Sequence, residues 1–319
     1  MNLNNANFRD LYIGNGFTEF RGLIGASEIQ APALPDYIED IENIRAHCSA
    51  IVASTGKTQF SLTYDTRLYR VTVLNGIEGN QTYVIRQTPS LIYDVKAIGI
   101  STSLLEVFRN PIMSGLVLIS GGLGEGKTST AAAILSDRIK HTGSLAVSVE
   151  DPIETLLEGR HGPGRCIQLE VGEYEGYSSA LKKSMRLGAS DMLIGEIRDS
   201  ETAHEALKAS MNGMFVIATI HSKSIVDAIE RMIIFCMEKN TEARSILSKS
   251  IKVVMNQKMI VTAKDEKIVK RVPNIQGYCL DNDINGNAIA SKIASGNTSS
   301  LESEFDVLRK NKMKTGGAI

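Results

Sequence analysis

The chain lacks features that mark several common classes of protein. It has no tryptophan, only 5% aromatic residues, and a net charge of −1 over 319 residues. Motors that hold single-stranded nucleic acid use a basic channel and aromatic side chains on which the bases stack. These shortages therefore disfavour a nucleic-acid motor, and the near-neutral charge gives no bulk attraction to an anionic membrane.

Cysteine is scarce, and the four cysteines are far apart: Cys48, Cys166, Cys236 and Cys279 form no C-x-x-C pair. This spacing argues against a zinc site and favours reduced thiols in a cytoplasmic protein. No apolar run approaches the length of a transmembrane helix, and the first residues have neither a basic start nor an apolar signal core. We therefore expect a soluble, intracellular protein.

A domain usually has roughly 100–200 residues, so the length of the chain predicts two domains. Residues 1–95 combine a helical pattern over Ile38–Ala53 with alternating segments that flank the turn-rich Asn75–Asn80, which predicts a small α+β domain with a hairpin. We expect a linker at 96–102 and a second domain over 103–319. Its end, Asn285–Gly317, is polar and rich in small residues, so we expect C-terminal helices followed by a mobile polar tail.

The second domain shows a βαβα pattern, in which continuous apolar runs alternate with helical segments. Such a pattern predicts an α/β fold with a mostly parallel sheet covered on both faces. The candidate strands are Leu116–Ser120, Leu145–Val149, Met192–Gly195 and Met214–Ile220, and the candidate helices are Thr128–His141, Tyr177–Arg186, Glu201–Met211 and Ser224–Met237.

A glycine-rich loop lies between the first of these strands and the first helix and fits G-x-x-x-x-G-K-[ST]. Backbone N–H groups of such a loop surround a phosphate, and the helix N-terminus adds partial positive charge. Lys127 reaches the β- and γ-phosphates, and the Thr128 hydroxyl ligates Mg²⁺. The motif predicts binding of ATP or another nucleoside triphosphate with Mg²⁺, and no other metal. Its phosphate-binding residues are Gly121, Gly122, Leu123, Gly124, Glu125, Gly126, Lys127, Thr128 and Ser129.

Polar residues follow three other predicted strands, at the edge where open α/β sheets bind ligands. They lie in Val147–Glu154, Asp191–Asp199 and Ala218–Ser222. Carboxylates at such positions can hold Mg²⁺ and activate a water, whereas each one alone is more often a helix cap or a structural residue. For Asp199, just before a predicted helix, we expect the capping role.

The order and spacing of these four motifs resemble those of the secretion ATPases of type IV pili, type II secretion and type IV secretion, which include the pilus retraction motor. The glycine-rich loop resembles their Walker A box, Ser148–Glu154 their aspartate box, Gly195–Asp199 their Walker B box, and Thr219–His221 their histidine box. The resemblance implies an N-terminal PAS-like domain, a RecA-like motor domain and a hexameric ring.

The resemblance also implies roles for five residues outside the loop. Glu150 matches the glutamate that polarises the attacking water, Glu196 the one that holds Mg²⁺ through water, and His221 the histidine that senses the γ-phosphate. Arg70 and Arg86 match arginines that approach the phosphates, where positive charge stabilises the transferring phosphoryl group. On the residues alone, the interpretation of each arginine as an ordinary solvated strand residue is favoured, because exposed arginines on edge strands are common.

The chain departs from the family pattern at several points. Glu125 stands where a small neutral residue is usual, and an acidic group beside phosphates weakens their binding unless it points away. The family's Pro-Asp before the Walker B strand falls on Ala189-Ser190, with Asp191 displaced by one. The four-cysteine zinc module of some relatives is missing, which favours the shorter family members, although the C-terminal motif of retraction motors is matched only loosely by 287–294.

The resemblance implies a cytoplasmic ATPase, peripheral to the bacterial inner membrane, that works against a membrane platform protein of a pilus, secretion or conjugation machine. Retraction, assembly and export remain open within that class. Two other classes also remain: a RecA-like nucleic-acid motor, and a nucleotide-gated scaffold without turnover. We expect no nucleic-acid partner, because the chain has no electrostatic footprint for one.

Overall fold

The computed structural model divides into two compact units. The first unit holds Met1–Leu91, Asp151–Leu156 and Glu170–Gly176; the second holds Ile92–Glu150, Leu157–Leu169 and Tyr177–Ile319. The structure describes residues 3–88, 91–172, 175–264, 267–280 and 284–314.

An antiparallel six-stranded sheet and one long helix, α1 (Ile38–Thr55), form most of the first unit. The strands are β1 (Asp10–Ile13), β2 (Thr18–Arg21), β3 (Gln30–Pro32), β4 (Gln59–Tyr64), β5 (Arg67–Asn75) and β6 (Gln81–Gln87). Their order across the sheet is β3-β2-β1-β6-β5-β4. The predicted hairpin is present, because β5 and β6 pair in antiparallel register around a short 3₁₀ turn.

Alternation along these strands explains how the sheet separates a buried face from a polar one. In β5, Val71 and Val73 are buried, and in β6 so is Ile85, while the residues between them are more exposed. Helix α1 contributes Ile41 and Ile44, which the 3.6-residue period brings to one side. These residues belong to one apolar core, so Arg70 and Arg86 lie on the other face.

The second unit contains eight strands and eight α-helices among its described residues. In chain order the elements are α2 (Thr102–Arg109), β7 (Gly115–Gly121), α3 (Lys127–Thr142), β8 (Leu145–Glu150), β9 (Gly159–His161), β10 (Gly164–Glu170), α4 (Gly176–Ser184), β11 (Asp191–Ile197), α5 (Ser200–Met211), β12 (Phe215–His221), α6 (Ile225–Met237), α7 (Ala243–Ser250), β13 (Ile251–Lys264), β14 (Lys267–Cys279), α8 (Ile284–Ser295) and α9 (Leu301–Lys314).

The strands of the second unit form one sheet in the order β14-β13-β7-β12-β11-β8-β10-β9. The five central strands, from β13 to β8, run parallel to one another, and β14 pairs antiparallel to β13. Every residue of β7 is buried, as expected for a strand covered on both faces. The predicted α/β class with a mostly parallel sheet, preceded by a smaller domain, is confirmed.

All four predicted strands and all four predicted helices of the second unit are present, with ends shifted by up to two residues. The hairpin of β13 and β14 was not predicted. The predicted linker includes Ile98 and Ile100, which are buried in the core of the second unit. The division at 96–102 stays a prediction.

The polar C-terminal segment forms the two helices α8 and α9, which bury five apolar residues: Ile289, Ile293, Leu301, Phe305 and Leu308. The C-terminal helices expected in this segment are present as far as residue 314, and the expected mobile tail stays a prediction. Residues 315–319 lie outside the described residues. Within the described ranges, every helix falls short of the length and apolarity that a membrane-spanning segment needs.

Three of the four cysteines are buried, and Cys279 is partly exposed. Burial raises the pKa of the thiols of Cys48, Cys166 and Cys236 to about 12 in each case. These three side chains therefore pack as small apolar groups at neutral pH, and all four thiols are free.

Candidate active site

Four neighbouring parallel strands bring the predicted site residues of the second unit to one edge of its sheet. Glu150 is the last residue of β8, Glu196 lies near the end of β11, and His221 is the last residue of β12. His221 pairs in register with Gly121, where β7 ends and the glycine-rich loop begins. Because the strands are parallel, their carboxyl ends meet at this edge.

The glycine-rich loop turns tightly from β7 into α3. Gly126 precedes the helix with a φ of 79°, in the left-handed region that favours glycine. At Gly121, a Cβ atom would come 2.5 Å from the main-chain oxygen of Gln257, so only glycine fits there. Leu123, at the tip, is 90% exposed, and Lys127, Thr128 and Ser129 form the first turn of α3. The geometry suits a backbone cradle for an anion.

Lys127 is buried, and its ammonium group lies over the loop. Its Nζ donates to the main-chain oxygen of Gly122 at 2.8 Å and lies 3.2 Å from Nδ1 of His221. The loop and the end of β12 are thus connected through one positive charge. An ammonium held at this position can meet phosphate oxygens bound in the loop.

His221 connects Lys127 to the carboxylate of Glu196. Its Nε2 lies 3.0 Å from Oε1 of Glu196, whose other oxygen accepts from Nε of Arg198 at 2.7 Å. Burial and the charge of Lys127 lower the pKa of His221, and the nearby Glu196 opposes them. The imidazole is therefore neutral at pH 7, with Nδ1 accepting from Lys127 and the Nε2 hydrogen donated to Glu196.

Glu150 is almost fully buried, with 2% of its surface exposed. Its Oε1 accepts hydrogen bonds from the Ser148 hydroxyl at 2.5 Å and from Nε2 of Gln168 at 3.0 Å. Two donors on one oxygen fix the orientation of the carboxylate. A carboxylate held in this way is suited to accept a hydrogen bond from a water beside the loop.

The oxygen ligands fit Mg²⁺. In phosphate sites this ion takes one or two protein oxygens and completes its shell with phosphate oxygens and water. Thr128 in the first turn of α3 and Glu196 at the end of β11 supply oxygens of that kind. No cluster of three or more His, Cys, Asp or Glu residues able to hold a metal occurs among the described residues.

Arg70 and Arg86 lie in the first unit, directly opposite each other on β5 and β6. Arg70 pairs with Glu154 at 3.0 Å, and Nε of Arg86 lies 2.7 Å from the buried carboxylate of Asp10. Like charges opposite each other on a sheet repel, and the two carboxylates offset this repulsion. The structure thus gives each arginine an acidic partner within the first unit.

The two unusual acidic residues noted in the sequence have separate explanations. Glu125 directs its carboxylate to the main-chain N–H of Met259 on β13. Asp191 lies at the start of β11, away from the site edge, and forms a buried ion pair with Arg138 at 2.5 Å. Asp199 caps α5, as predicted, by accepting from the N–H of Thr202.

Sequence reasoning missed several residues that support the site. Ser148 and Gln168 donate to Glu150, while Arg198 pairs with Glu196. Arg198 carried a signal, because it lies two residues after Glu196. Gln168 carried none, since its position depends on how β10 packs beside β8.

Comparison with known proteins agrees with this fold. The family model described as "Type II/IV secretion system protein" matches residues 54–302, and the chain belongs to that family.

Among curated proteins, the chain is 34% identical over 199 residues to the type IV pilus retraction ATPase PilT of Pseudomonas aeruginosa, covering 60% of this chain and 55% of that protein. It is 31% identical over 188 residues to the uncharacterised protein YggR of Escherichia coli, covering 58% and 56%. The chain thus spans about half the length of these relatives.

Among solved structures, the pilus retraction motor PilT with bound ADP superimposes with a TM-score of 0.74 at 24% identity, covering 98% of this chain and 91% of that one. This likeness confirms the predicted fold class, an α/β domain with a mostly parallel sheet preceded by a smaller domain with an antiparallel sheet.

Proposed function

We propose that this chain is a Mg²⁺-dependent ATP hydrolase that powers a type IV pilus, secretion or conjugation machine. One observation carries the proposal: the glycine-rich loop, Glu150, Glu196 and His221 meet at the carboxyl edge of four adjacent parallel strands. Family membership supports it, because relatives of this chain bear the names of a type IV pilus ATPase and of a type II secretion system protein.

In this proposal each residue of the second unit has one task. The loop N–H groups, with Lys127, Thr128 and Ser129, bind the phosphates. Glu150, oriented by its two donors, accepts a hydrogen bond from the attacking water and aligns it. His221 is neutral and can donate from Nε2 or accept at Nδ1, so it responds to a γ-phosphate that attracts Lys127. Thr128 and Glu196 would hold Mg²⁺, and the ion would supply charge neutralisation at the phosphate oxygens.

Assembly and partners complete the proposal. We take the chain to form a hexamer in which Arg70 and Arg86 stabilise transition-state charge at a composite site. Hydrolysis would drive a rotation of domains, and this rotation would act on a platform protein of the bacterial inner membrane. The ATPase would therefore be cytoplasmic and peripheral to that membrane. The machine could retract a pilus, assemble one or export a substrate, and these three functions remain alternatives.

A matched pair of variants tests the hydrolase. Lys127→Ala removes the charge that meets the phosphates, so we expect ATP binding to weaken strongly and turnover to be lost. Glu150→Gln keeps the shape, so we expect near-normal ATP binding with turnover about 10²-fold slower. Nucleotide titration and phosphate release measure the two effects separately. Near wild-type hydrolysis by Lys127→Ala contradicts the proposal.

A further inference from the structure

The β13–β14 hairpin extends beyond the strand that supports it. β7 pairs with β13 only as far as Asn256, because β7 ends at Gly121 and the chain turns into the glycine-rich loop. β13 continues to Lys264. From Gln257 onward, β7 no longer offers acceptors to that edge of β13, although backbone N–H groups need partners.

The loop supplies a partner for one of these N–H groups and contacts two side chains of the hairpin, mainly through Glu125. Its carboxylate accepts the N–H of Met259, and its main-chain oxygen accepts from Nε2 of Gln257 at 2.6 Å. From β14, Arg271 reaches the main-chain oxygen of Gly124 at 3.4 Å. Both strands of the hairpin therefore hold the loop at two consecutive residues.

We propose that Glu125 is a positioning residue that fastens the glycine-rich loop to the β13–β14 hairpin and couples nucleotide binding to the conformation of that hairpin. The inference rests on the proposed function, since the coupled ligand is the nucleotide. A loop held in one conformation presents its N–H groups without further ordering. Coupling of this kind is reciprocal, so a bound nucleotide also stabilises the hairpin.

The carboxylate has two opposite effects. A charged acceptor makes a stronger hydrogen bond to Met259 than an amide would. The same charge lies on the phosphate-binding loop and repels an anion there. Glu125→Gln keeps an acceptor without the charge, whereas Glu125→Ala removes both. Glu125→Asp keeps the charge on a shorter side chain. Comparing the three separates fastening from repulsion.

The experiment uses the full chain and two readouts that do not need turnover. A fluorescent ADP measures affinity, and hydrogen–deuterium exchange of peptides covering 257–262 measures protection of the hairpin. We expect Glu125→Gln to bind ADP several-fold more tightly than wild type and to keep the protection that ADP confers. We expect Glu125→Ala to bind about fivefold more weakly than Glu125→Gln and to lose that protection. Glu125→Asp should lose the protection as well.

Glu238→Gln is the matched control, because it removes the same charge from an exposed residue after α6; it should behave as wild type. Equal ADP affinity and equal protection in Glu125→Gln and Glu125→Ala would overturn the coupling while leaving the proposed function intact. If wild type does not bind ADP, or Lys127→Ala binds it equally well, the proposed function fails, and the coupling fails with it.

Discussion

His221 stands between a lysine and a carboxylate, and its protonation state depends on both. Its pKa is lowered first by burial and then by Lys127, while Glu196 raises it. Below its ordinary pKa of 6.5, the unfolded chain binds a proton that the folded chain resists. This histidine therefore reduces the stability of the fold as the pH falls below about 6.5, and has no such effect above it.

We expect Lys127→Ala to raise the pKa of His221 toward its ordinary value, because the neighbouring positive charge is gone. Glu196→Gln should lower it further, because the attraction for the imidazolium is lost. Titration of the ring resonances by NMR, with histidine labelled in the full chain, measures both. A His221 resonance that titrates identically in both variants and wild type contradicts the proposed contacts.

Asp191 is a structural residue by its position, and its substitution should affect stability rather than catalysis. Asp191→Asn leaves the Arg138 guanidinium buried without its counter-charge, although Arg138 also donates to three main-chain oxygens. Breaking a buried pair costs about 3–5 kcal/mol of unfolding free energy. We expect a loss of that size in urea unfolding, with unchanged turnover per folded molecule.

The exposed pair of Glu201 with Lys239 is the control for Asp191. Glu201→Gln should change the unfolding free energy by less than about 1 kcal/mol, since surface ion pairs contribute little. Normal stability of Asp191→Asn together with lost turnover would instead assign Asp191 to the active site.

At the scale of elements, β11 passes so close to its neighbours that a single methyl group matters. A Cβ atom at Gly195 would lie 3.0 Å from the Tyr177 hydroxyl oxygen and 3.2 Å from Cγ of Glu150. We therefore expect Gly195→Ala to displace the Glu150 carboxylate. Overpacking costs about 1–3 kcal/mol, and here the strain would be relieved by movement of the Glu150 side chain. Turnover should therefore fall at least about tenfold, while ADP affinity changes little.

Gly172→Ala is the comparison for Gly195, because its added Cβ would meet its nearest neighbour at an ordinary 3.4 Å. Phosphate release and ADP titration on both variants distinguish the two positions. If Gly195→Ala turns over ATP at the rate of Gly172→Ala, the close approach has no bearing on catalysis.

How much the sequence predicts depends on the element. Apolar runs such as those of β7 and β12 specify buried parallel strands by themselves, and the residues that follow them then meet at one edge. In β13, lysines and polar residues interrupt the apolar pattern, so the hairpin could not be recognised. Its contact with Glu125 joins residues 134 positions apart, which no local pattern encodes.

At the scale of the whole molecule, the proposed role of Arg86 in hydrolysis must be separated from its structural role as the ion-pair partner of Asp10. Arg86→Ala would leave the carboxylate of Asp10 buried beside only a distant Arg9, at 3.7 Å. A loss of activity could then reflect damage to the first unit. Arg86→Ala combined with Asp10→Asn removes both charges, so the local charge balance of the first unit is kept.

We expect this double variant to bind ATP nearly normally and to form rings, but to lose hydrolysis, because the positive charge is needed mainly in the transition state. Wild-type specific activity should rise with protein concentration as rings form. Light scattering and phosphate release over a dilution series measure both. Full hydrolysis by the double variant would make Arg86 a structural partner of Asp10 alone.

The buried cysteines have a practical consequence for following the molecule at work. A thiol with a pKa of about 12 is almost entirely protonated at neutral pH, and only the thiolate reacts with alkylating dyes. A folded chain in which Cys279 is replaced would therefore react very little with such reagents. A single new cysteine at the exposed Leu123 would then carry a dye at the tip of the loop and report nucleotide arrival as a change in fluorescence.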